Sequence, residues 1–320
     1  MAVFTFVARD ALARWLARYD VGTLVEHEGI ASGIENSNYF VTTTAGRYVL
    51  TLFERLSADE LPFHLGLLHH LALHGIPCPD PIADRDGVVL ETLMGKPAAL
   101  CTRLDGQPEM QPDAAHCARL GETIARMHLA AADYPGRMPN PRGLAWWQAI
   151  APQLSARLTP EQAALLADEI EHQRSFAAGA AFAGLPASAV HADLFRDNVF
   201  FAPGRPSQRL VGVIDFWFAG VDTWLFDLAV AANDWCVDEC GAFDGARLDA
   251  LLDAYGSLRP LQAAEHAAWQ TMLRAAALRF WLSRLFDLHC PRPAEIVVPK
   301  DPTRFERVLR LRRGETPAPH

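Results

Sequence analysis

The chain reads His191-Ala192-Asp193-Leu194-Phe195-Arg196-Asp197-Asn198, and after sixteen intervening residues it reads Asp215, in Val213-Ile214-Asp215-Phe216. In these segments Asp193, Asn198 and Asp215 supply two carboxylates and a carboxamide in a fixed order. A carboxylate can take the proton of an attacking hydroxyl, and the side-chain oxygens of an Asn and an Asp can hold a hard cation such as Mg2+. Transfer of a phosphoryl group from a nucleotide needs that set. Asp193 is the candidate base, and Asn198 and Asp215 are the candidate metal ligands. An ordinary carboxylate titrates near ~4, so Asp193 is expected to be ionised at neutral pH without a large shift.

The flanks give the set a geometry. Ala189-Val190 leads into the motif, Val199-Phe200-Phe201 leaves it, and Leu210 to Ile214 leads into Asp215. Between the last two lies Ala202-Pro203-Gly204-Arg205-Pro206-Ser207, a turn by composition. Two apolar strands joined by such a turn read as a β-hairpin. Asn198 opens one strand and Asp215 closes the other, so their side chains can meet at one end. Asp193 lies in the preceding loop. The first segment, H-x-D-x-x-x-x-N, has the spacing of the protein-kinase catalytic loop, with Ala192 where a protein kinase carries Arg.

Composition narrows the setting. Of 320 residues half are hydrophobic, which is enough apolar surface for a folded core of one large or two modest domains. The net charge of −9 argues against general affinity for nucleic acid. The N-terminal residues lack the basic and apolar regions of a signal peptide, and no apolar run approaches the ~20 residues of a membrane span. The six cysteines, at 78, 101, 117, 236, 240 and 290, contain no C-x-x-C and read as reduced thiols. A cytoplasmic protein is expected. The histidines lack metal-ligand spacing; His64, His69, His70 and His74 share one helix, and most of the histidines are expected at the surface.

Residues 8–19 form an amphipathic helix with Leu12, Trp15, Leu16 and Tyr19 on one face. Strands follow at about 24–30, 38–44 and 48–53, the last two joined by Thr44-Ala45-Gly46. A helix spans 61–74, stopped by Gly75 and Pro77. Two short strands at 81–84 and 88–93 and one at 98–104 complete a small antiparallel sheet carrying one main helix. Residues 105–109 read as a linker. Beyond about 110 the chain is mainly helical, at 112–132, 160–178, 223–238, 245–256, 261–289 and 302–313, interrupted by the catalytic hairpin. Cys236 and Cys240 fall on one of these helices. The fold class is α+β in two lobes, with domains at 1–104 and 105–320.

With these features together, the chain resembles the aminoglycoside phosphotransferase-like kinases, a family that includes choline, methylthioribose and homoserine kinases. Within it the chain is most similar to the homoserine branch of many proteobacteria. The resemblance runs essentially end to end and is carried by residues 29–39, 48–54, 61–67, 191–201 and Ala277-Leu278-Arg279-Phe280. It implies a two-lobed protein-kinase-like fold, ATP and Mg2+ as cofactors, and the reaction ATP + L-homoserine → ADP + O-phospho-L-homoserine, within threonine biosynthesis. The residues alone reach only a kinase for a hydroxyl of a small molecule or a protein.

The resemblance also implies further roles. The segment from Gly29 to Asn38 takes the place of a Gly-rich phosphate loop, with Gly33 allowing close backbone approach and Ser37 and Asn38 supplying donors. Cys101 to Gly106 falls at the hinge, where backbone groups around Thr102 and Leu104 meet adenine. His191 braces the catalytic loop, and Asp227, in Phe226-Asp227-Leu228-Ala229, hydrogen-bonds to it. Thr51 stands where a kinase carries its strand Lys, and Glu60, followed by Pro62, falls outside the helix that carries the usual partner Glu. Arg55 or the metal and backbone amides must then balance phosphate charge. An amino-acid substrate calls for an Arg to grip its carboxylate. Arg279 and Arg284 are the candidates, with Asp234 or Asp222 for the ammonium.

Two other readings remain open on sequence. One is a related kinase for an aminoglycoside, choline or amino sugar; the aromatics Trp217, Phe218, Trp224 and Trp235 fit a cage for a quaternary ammonium. The other, motivated by Thr51, is a non-catalytic nucleotide-binding module. Sequence leaves the oligomeric state unassigned.

Overall fold

Alternation on one strand organises the first part of the chain. Along β2 (Ser37–Thr43) buried and half-buried side chains alternate over the whole strand, which puts Ser37, Tyr39, Val41 and Thr43 on one face. In a computed structural model, residues 3–31, 35–204, 209–290 and 300–314 are described. They divide into two units, Met1–Gly106 with Val211–Ile214, and Gln107–Leu210 with Asp215–His320.

The first unit begins with α1 (Arg9–Leu16) and β1 (Leu24–Gly29), followed by β2, β3 (Arg47–Leu52), α2 (Leu61–Leu73), β4 (Glu91–Leu93) and β5 (Lys96–Thr102). The strands form one antiparallel sheet in the order β1-β2-β3-β5-β4. Leu12, Trp15 and Leu16 of α1 cluster with Tyr39, Val41, Leu50, Leu52 and Leu100 of the sheet. The apolar spacing of α1 is thus used in full. Helix α2 opens with Pro at its first turn and ends at Gly75, whose φ of 74° is reached without the penalty a Cβ would bring. Its His64 is fully buried rather than at the surface.

The expected strand at 81–84 reduces to a single bridge between Pro81 and Cys101. The cause is Asp84: its Oδ1 accepts from the amides of Asp86 and Val88, and Arg18 donates to its Oδ2 at 2.9 Å. A carboxylate that collects its neighbours' amides makes a turn, not a strand.

The second unit opens with β6 (Gln107–Pro108), which pairs with β8 (Val199–Phe201). The second half of the expected linker is therefore part of a sheet. Between them come α3 (Ala114–Ala131), α4 (Leu144–Ser155), α5 (Pro160–Ala177), the short α6 (Ala180–Ala183) and β7 (Ala187–Val190). After β8 the Ala202 amide donates to the Arg209 carbonyl, and β9 (Leu210–Val213), which from Val211 on is counted with the first unit, leads towards Asp215. Strand β10 (Gly220–Thr223) pairs antiparallel with β7. Helices α7 (Trp224–Trp235), α8 (Gly245–Leu258), α9 (Ala263–His289) and α10 (Thr303–Gly314) complete the unit.

Helix α4 is absent from the sequence reading. It has no side-chain N-cap and carries Pro152 inside it, so the usual start and continuation signals are missing. Helix α7 ends at Trp235, so Cys236 and Cys240 lie beyond it and not on a helix. No helix among the described residues is long and apolar enough to cross a membrane.

Candidate active site

Strand β7 delivers the chain into the catalytic loop, and Asp227 on α7 receives it. The Asp227 carboxylate is fully buried and accepts the amides of His191 at 2.8 Å and Ala192 at 2.6 Å. The His128 imidazole lies 3.4 Å from the same carboxylate and 2.9 Å from the Tyr255 hydroxyl. A buried charge is tolerable when its lone pairs are taken up in this way. The grip is needed because Ala192 has φ of 63°, in the left-handed region that an L side chain rarely adopts. Asp215 has φ of 66°. Two non-glycine residues in that region, one beside the candidate base and one the candidate metal ligand, mark where the backbone stores strain.

Beyond Ala192 the loop is tied at each step. The His191 Nδ1 accepts from the Asp193 amide at 3.2 Å, and the His191 ring packs on Phe216 with centroids 4.4 Å apart. Trp235 donates its indole N–H to the Leu194 carbonyl, and Phe195 meets Phe280 of α9 edge-on. The Asn198 amide closes the turn onto the Phe195 carbonyl.

Asn198 faces the base. Its Nδ2 donates to the Asp193 carbonyl at 2.9 Å and to the Asp193 Oδ2 at 3.2 Å. With the nitrogen so engaged, its Oδ1 is the acceptor left for a hard cation. Asp215 lies two residues beyond the end of β9 and starts the short 3-10 turn Phe216–Phe218. An amide oxygen and a carboxylate are the donor set a Mg2+ ion takes.

The Asp193 side chain is 15% exposed and lies 3.7 Å from the Arg279 guanidinium. Burial pushes its carboxyl above the ordinary aspartate range, and Arg279 and His191 offset part of that rise. The expectation of an unperturbed carboxylate is thus corrected in direction. Arg279 itself is 3% exposed, donates to the Ser283 hydroxyl, and lies over the rings of Phe218 and Phe280.

Other candidates turn out to have structural work. Both oxygens of Asp234 are engaged: Oδ2 by the Arg196 amide and Nε, Oδ1 by Arg196 and Arg304 guanidinium groups. Its side chain is 3% exposed, and it braces the loop. Arg284 donates to the Asp301 carbonyl and lies over Phe305, anchoring the approach to α10. Burial lowers its guanidinium to about 10. Both side chains are thus engaged within the protein. Asp222 accepts from Asn140 Nδ2 at 2.8 Å and from the Thr223 amide, and burial raises it to about 6.

In the first unit, Gly33 lies outside the described residues. Ser37 is fully buried; its hydroxyl donates to Glu54 and accepts the amides of Phe4 and Thr5, so it ties the N-terminal segment to β2. That leaves no donor for phosphate on its side chain. Burial would raise the Glu54 carboxyl, but hydrogen bonds from Thr5, Ser37 and Lys96 outweigh it and hold it below the ordinary range. Asn38 and Thr51 face each other across β2 and β3, and the Thr51 hydroxyl donates to Asn38 Oδ1 at 2.8 Å. Arg55 pairs with Glu35 at 3.1 Å, and Lys96 with Glu54 at 3.2 Å. Glu60 precedes α2 and accepts from Ser57. Thr102 gives its N–H to the Asp80 carbonyl and takes the Asp80 amide on its hydroxyl. Among the described residues no backbone hydrogen bond of Leu104 is seen.

Arg142, in the segment before α4, was not singled out in the sequence. Its guanidinium carbon is 4.2 Å from the Trp146 ring centroid, 5.5 Å from that of Phe218 and 5.9 Å from that of Phe286. No motif announces it; Pro139-Asn140-Pro141-Arg142-Gly143 reads only as a turn.

The description of the phosphotransferase enzyme family matches residues 26–261. A homoserine kinase of Paraburkholderia phytofirmans is 53% identical over 317 residues, covering 98% of this chain and 96% of that one. A homoserine kinase of Burkholderia multivorans is 53% identical over 323 residues, covering 99% and 97%. Among solved structures, amicoumacin kinase hAmiN in complex with AMP-PNP, Ca2+ and Ami superposes with a TM-score of 0.70 at 15% identity, covering 96% and 92% of the two chains. The microcompartment-associated aminopropanol kinase gives 0.65 at 20% identity, covering 95% and 96%. These structures share the two-part arrangement of an antiparallel sheet followed by a mainly helical unit, and with the family match over most of its length the chain belongs to the phosphotransferase enzyme family.

Proposed function

We propose that this protein is a homoserine kinase, catalysing ATP + L-homoserine → ADP + O-phospho-L-homoserine, a step of threonine biosynthesis in the cytoplasm. The observation that carries the reading is the end-to-end similarity, at 53% identity, to proteins named homoserine kinase. It joins a loop whose base, Asp193, is held by Asn198 and faced by Arg279.

Asp193 orients the substrate hydroxyl and accepts its proton as the O–P bond forms. Its raised pKa makes it a better proton acceptor than an exposed aspartate. In a loose transition state the nucleophile needs little activation, so placement is the larger contribution. Asn198 Oδ1 and Asp215 hold the divalent cation, Mg2+, which when bound neutralises charge on the nucleotide phosphates. Arg55, the candidate replacement for the strand Lys, is paired with Glu35, and the nearby sheet cation Lys96 is paired with Glu54. Phosphate charge is therefore left mainly to the cation and to backbone amides. Asn38 presents its Nδ2, since its Oδ1 accepts from Thr51.

Three of the four aromatic residues that kept a choline-like acceptor open argue against one. Phe218 already lies within 6 Å of two guanidinium groups, Arg279 and Arg142, and Trp224 carries Arg259 at 4.7 Å. Trp235 is fully buried. A cationic acceptor would meet like charge at these faces, whereas an acceptor bearing a carboxylate finds complementary charge.

The test is ADP release with Mg·ATP across L-homoserine, L-serine, choline and kanamycin. Turnover preferring L-homoserine supports the reading. Turnover of kanamycin or choline with none of L-homoserine overturns it, and no release with any alcohol favours a binding module.

A further inference from the structure

We infer that Arg304, at the start of α10, is a positioning residue for the catalytic loop, acting through Asp234 to fix the interval between Asp193 and Asn198; this rests on the roles proposed above for those two residues. The three loop residues that precede Asn198 each meet the segment that opens α10. The Phe195 ring lies edge-on to Phe305, with centroids 5.8 Å apart, and both rings meet Phe280. Arg196 and Arg304 share the Asp234 carboxylate. Lys300 reaches the Asp197 Oδ2 at 3.2 Å. That last pair is exposed on both sides, 67% and 49%, and an exposed pair holds little in place. The Asp234 side chain is 3% exposed, so its pairing with Arg304 is screened far less.

The hydrogen bonds of Asp234 show how the hold works. Its Oδ2 accepts the Arg196 amide at 3.0 Å and Arg196 Nε at 3.1 Å. Its Oδ1 accepts Arg196 Nη2 at 3.3 Å and Arg304 Nη2 at 2.9 Å. A carboxylate offers about four acceptor sites, and these bonds use them. Without Arg304, Oδ1 keeps only the longest of the four. A buried carboxylate so depleted turns towards another donor or towards water. The Arg196 amide is bound to the same group, so the backbone two residues before Asn198 shifts with it. Asn198 closes this turn onto the Phe195 carbonyl and donates across it to Asp193. A displacement of about 1 Å at reacting groups can cost about a hundredfold in rate.

Other contacts hold α10 independently of Arg304. Asp301 accepts the Thr303 amide and hydroxyl, and Arg284 donates to the Asp301 carbonyl, which sets the entry to the helix. Phe305, Val308 and Leu309 are fully buried along it. Further on, Arg312 donates to Asn233 Oδ1 at 2.9 Å and to the Gly241 carbonyl at 3.1 Å. Asn233 precedes Asp234 on α7, so α10 is clipped twice to adjacent residues of one helix. Losing Arg304 therefore leaves α10 docked and removes its link to the loop. Arg310, on the same helix, provides the comparison, because its ion pairs are with Glu161 and Glu306, away from the loop.

The experiment measures ADP release from Mg·ATP and L-homoserine, with thermal melts, for wild type, Arg304→Gln, Arg304→Lys, Arg310→Gln and Asp193→Asn. Arg304→Gln should lower kcat at least about tenfold while the homoserine KM stays within about threefold, since the displacement acts where groups react. Its melting temperature should stay within about 4 °C of wild type. The link to Asp234 is a single N–H and not a fork, so Arg304→Lys should restore kcat to within about threefold of wild type. Arg310→Gln should keep kcat within about twofold. A smaller fall in Arg304→Gln, an equal fall in Arg310→Gln, or a fall that Arg304→Lys does not restore overturns the inference. Normal turnover in Asp193→Asn sinks the role of the base, and this inference with it. An inactive Asp193→Asn beside a normal Arg304→Gln removes this inference alone.

Discussion

Asp227 accepts the backbone amide of Ala192 at 2.6 Å, and Ala192 is the residue of the catalytic loop whose backbone lies in the left-handed region. The carboxylate thus holds a strained peptide in place directly before the base. Replacing it by alanine leaves two buried amides unsatisfied. Asp227→Ala is expected to cost about 3–5 kcal/mol of stability, measured by urea unfolding. Asp227→Asn, which keeps the shape but only one acceptor, should lower kcat by at least about a hundredfold with a smaller stability loss. Normal kcat in Asp227→Asn would show that the loop does not need this grip.

Ala192 itself offers the converse experiment. Glycine reaches φ near 60° without the Cβ clash, so Ala192→Gly should raise stability or leave it unchanged, by up to ~1 kcal/mol in the same assay. A loss of more than about 1 kcal/mol would mean that the Ala192 methyl group, which is fully buried, contributes more by packing than its backbone costs.

The raised pKa of Asp193 predicts an acidic limb in the pH profile. Activity requires the ionised carboxylate, so kcat should fall as pH drops through a value above the ordinary aspartate range. Arg279 lowers that value, so Arg279→Met should move the limb to higher pH and reduce kcat at neutral pH by at least tenfold. An unmoved limb in the variant would separate Arg279 from the ionisation of the base.

Asp222 predicts a stability trend of definite sign. Its carboxyl sits at about 6 in the folded protein, above the ordinary 3.8, so the folded state binds protons more tightly than the unfolded one. Its contribution is present at pH 4 and is lost as pH rises through about 6. Asp222→Asn removes that dependence. The stability of wild type relative to Asp222→Asn should therefore fall between pH 4 and pH 7, on the order of 1–2 kcal/mol given its partial exposure. A flat difference across that range in thermal melts would contradict the shift.

The metal site predicts a selective loss. Asn198→Ala removes both the candidate cation ligand and the Nδ2 contact to Asp193. Its kcat should fall at least about a hundredfold, and raising the Mg2+ concentration should recover part of the loss. Asp215→Ala should also weaken nucleotide binding in calorimetry. Near-normal activity in Asp215→Ala would reduce that residue to the cap of a turn.

Much of the fold is legible in the chain because its signals are local. The spacing of Leu12, Trp15 and Leu16 announces α1, the alternation from Ser37 to Thr43 announces β2, and Gly75 stops α2 where a left-handed residue is required. Helix α4 was not legible, since it begins without a side-chain cap and runs through Pro152. The strand expected at 81–84 was lost to Asp84, whose hydrogen bonds form a turn that strand propensity does not register.

The site divides along the same line. Asp193, Asn198 and Asp215 stand out in the sequence because phosphoryl transfer constrains their order and spacing within one hairpin, and chemistry of that kind is written in residue type. What Ser37, Asp234 and Arg284 do is decided by their partners. Ser37 spends its hydroxyl on Glu54, Asp234 its carboxylate on Arg196 and Arg304, and Arg284 its guanidinium on the Asp301 carbonyl. Those contacts join residues 17 to 70 positions apart, and no local pattern encodes them. The raised carboxyl of Asp193 and the aromatic wall around Arg142 likewise exist only once helices and loop are packed together. By itself the sequence determined the reaction type and offered the candidate groups for it; tertiary packing alone decided which charged side chains are buried and paired, because burial and pairing are properties of neighbours in space.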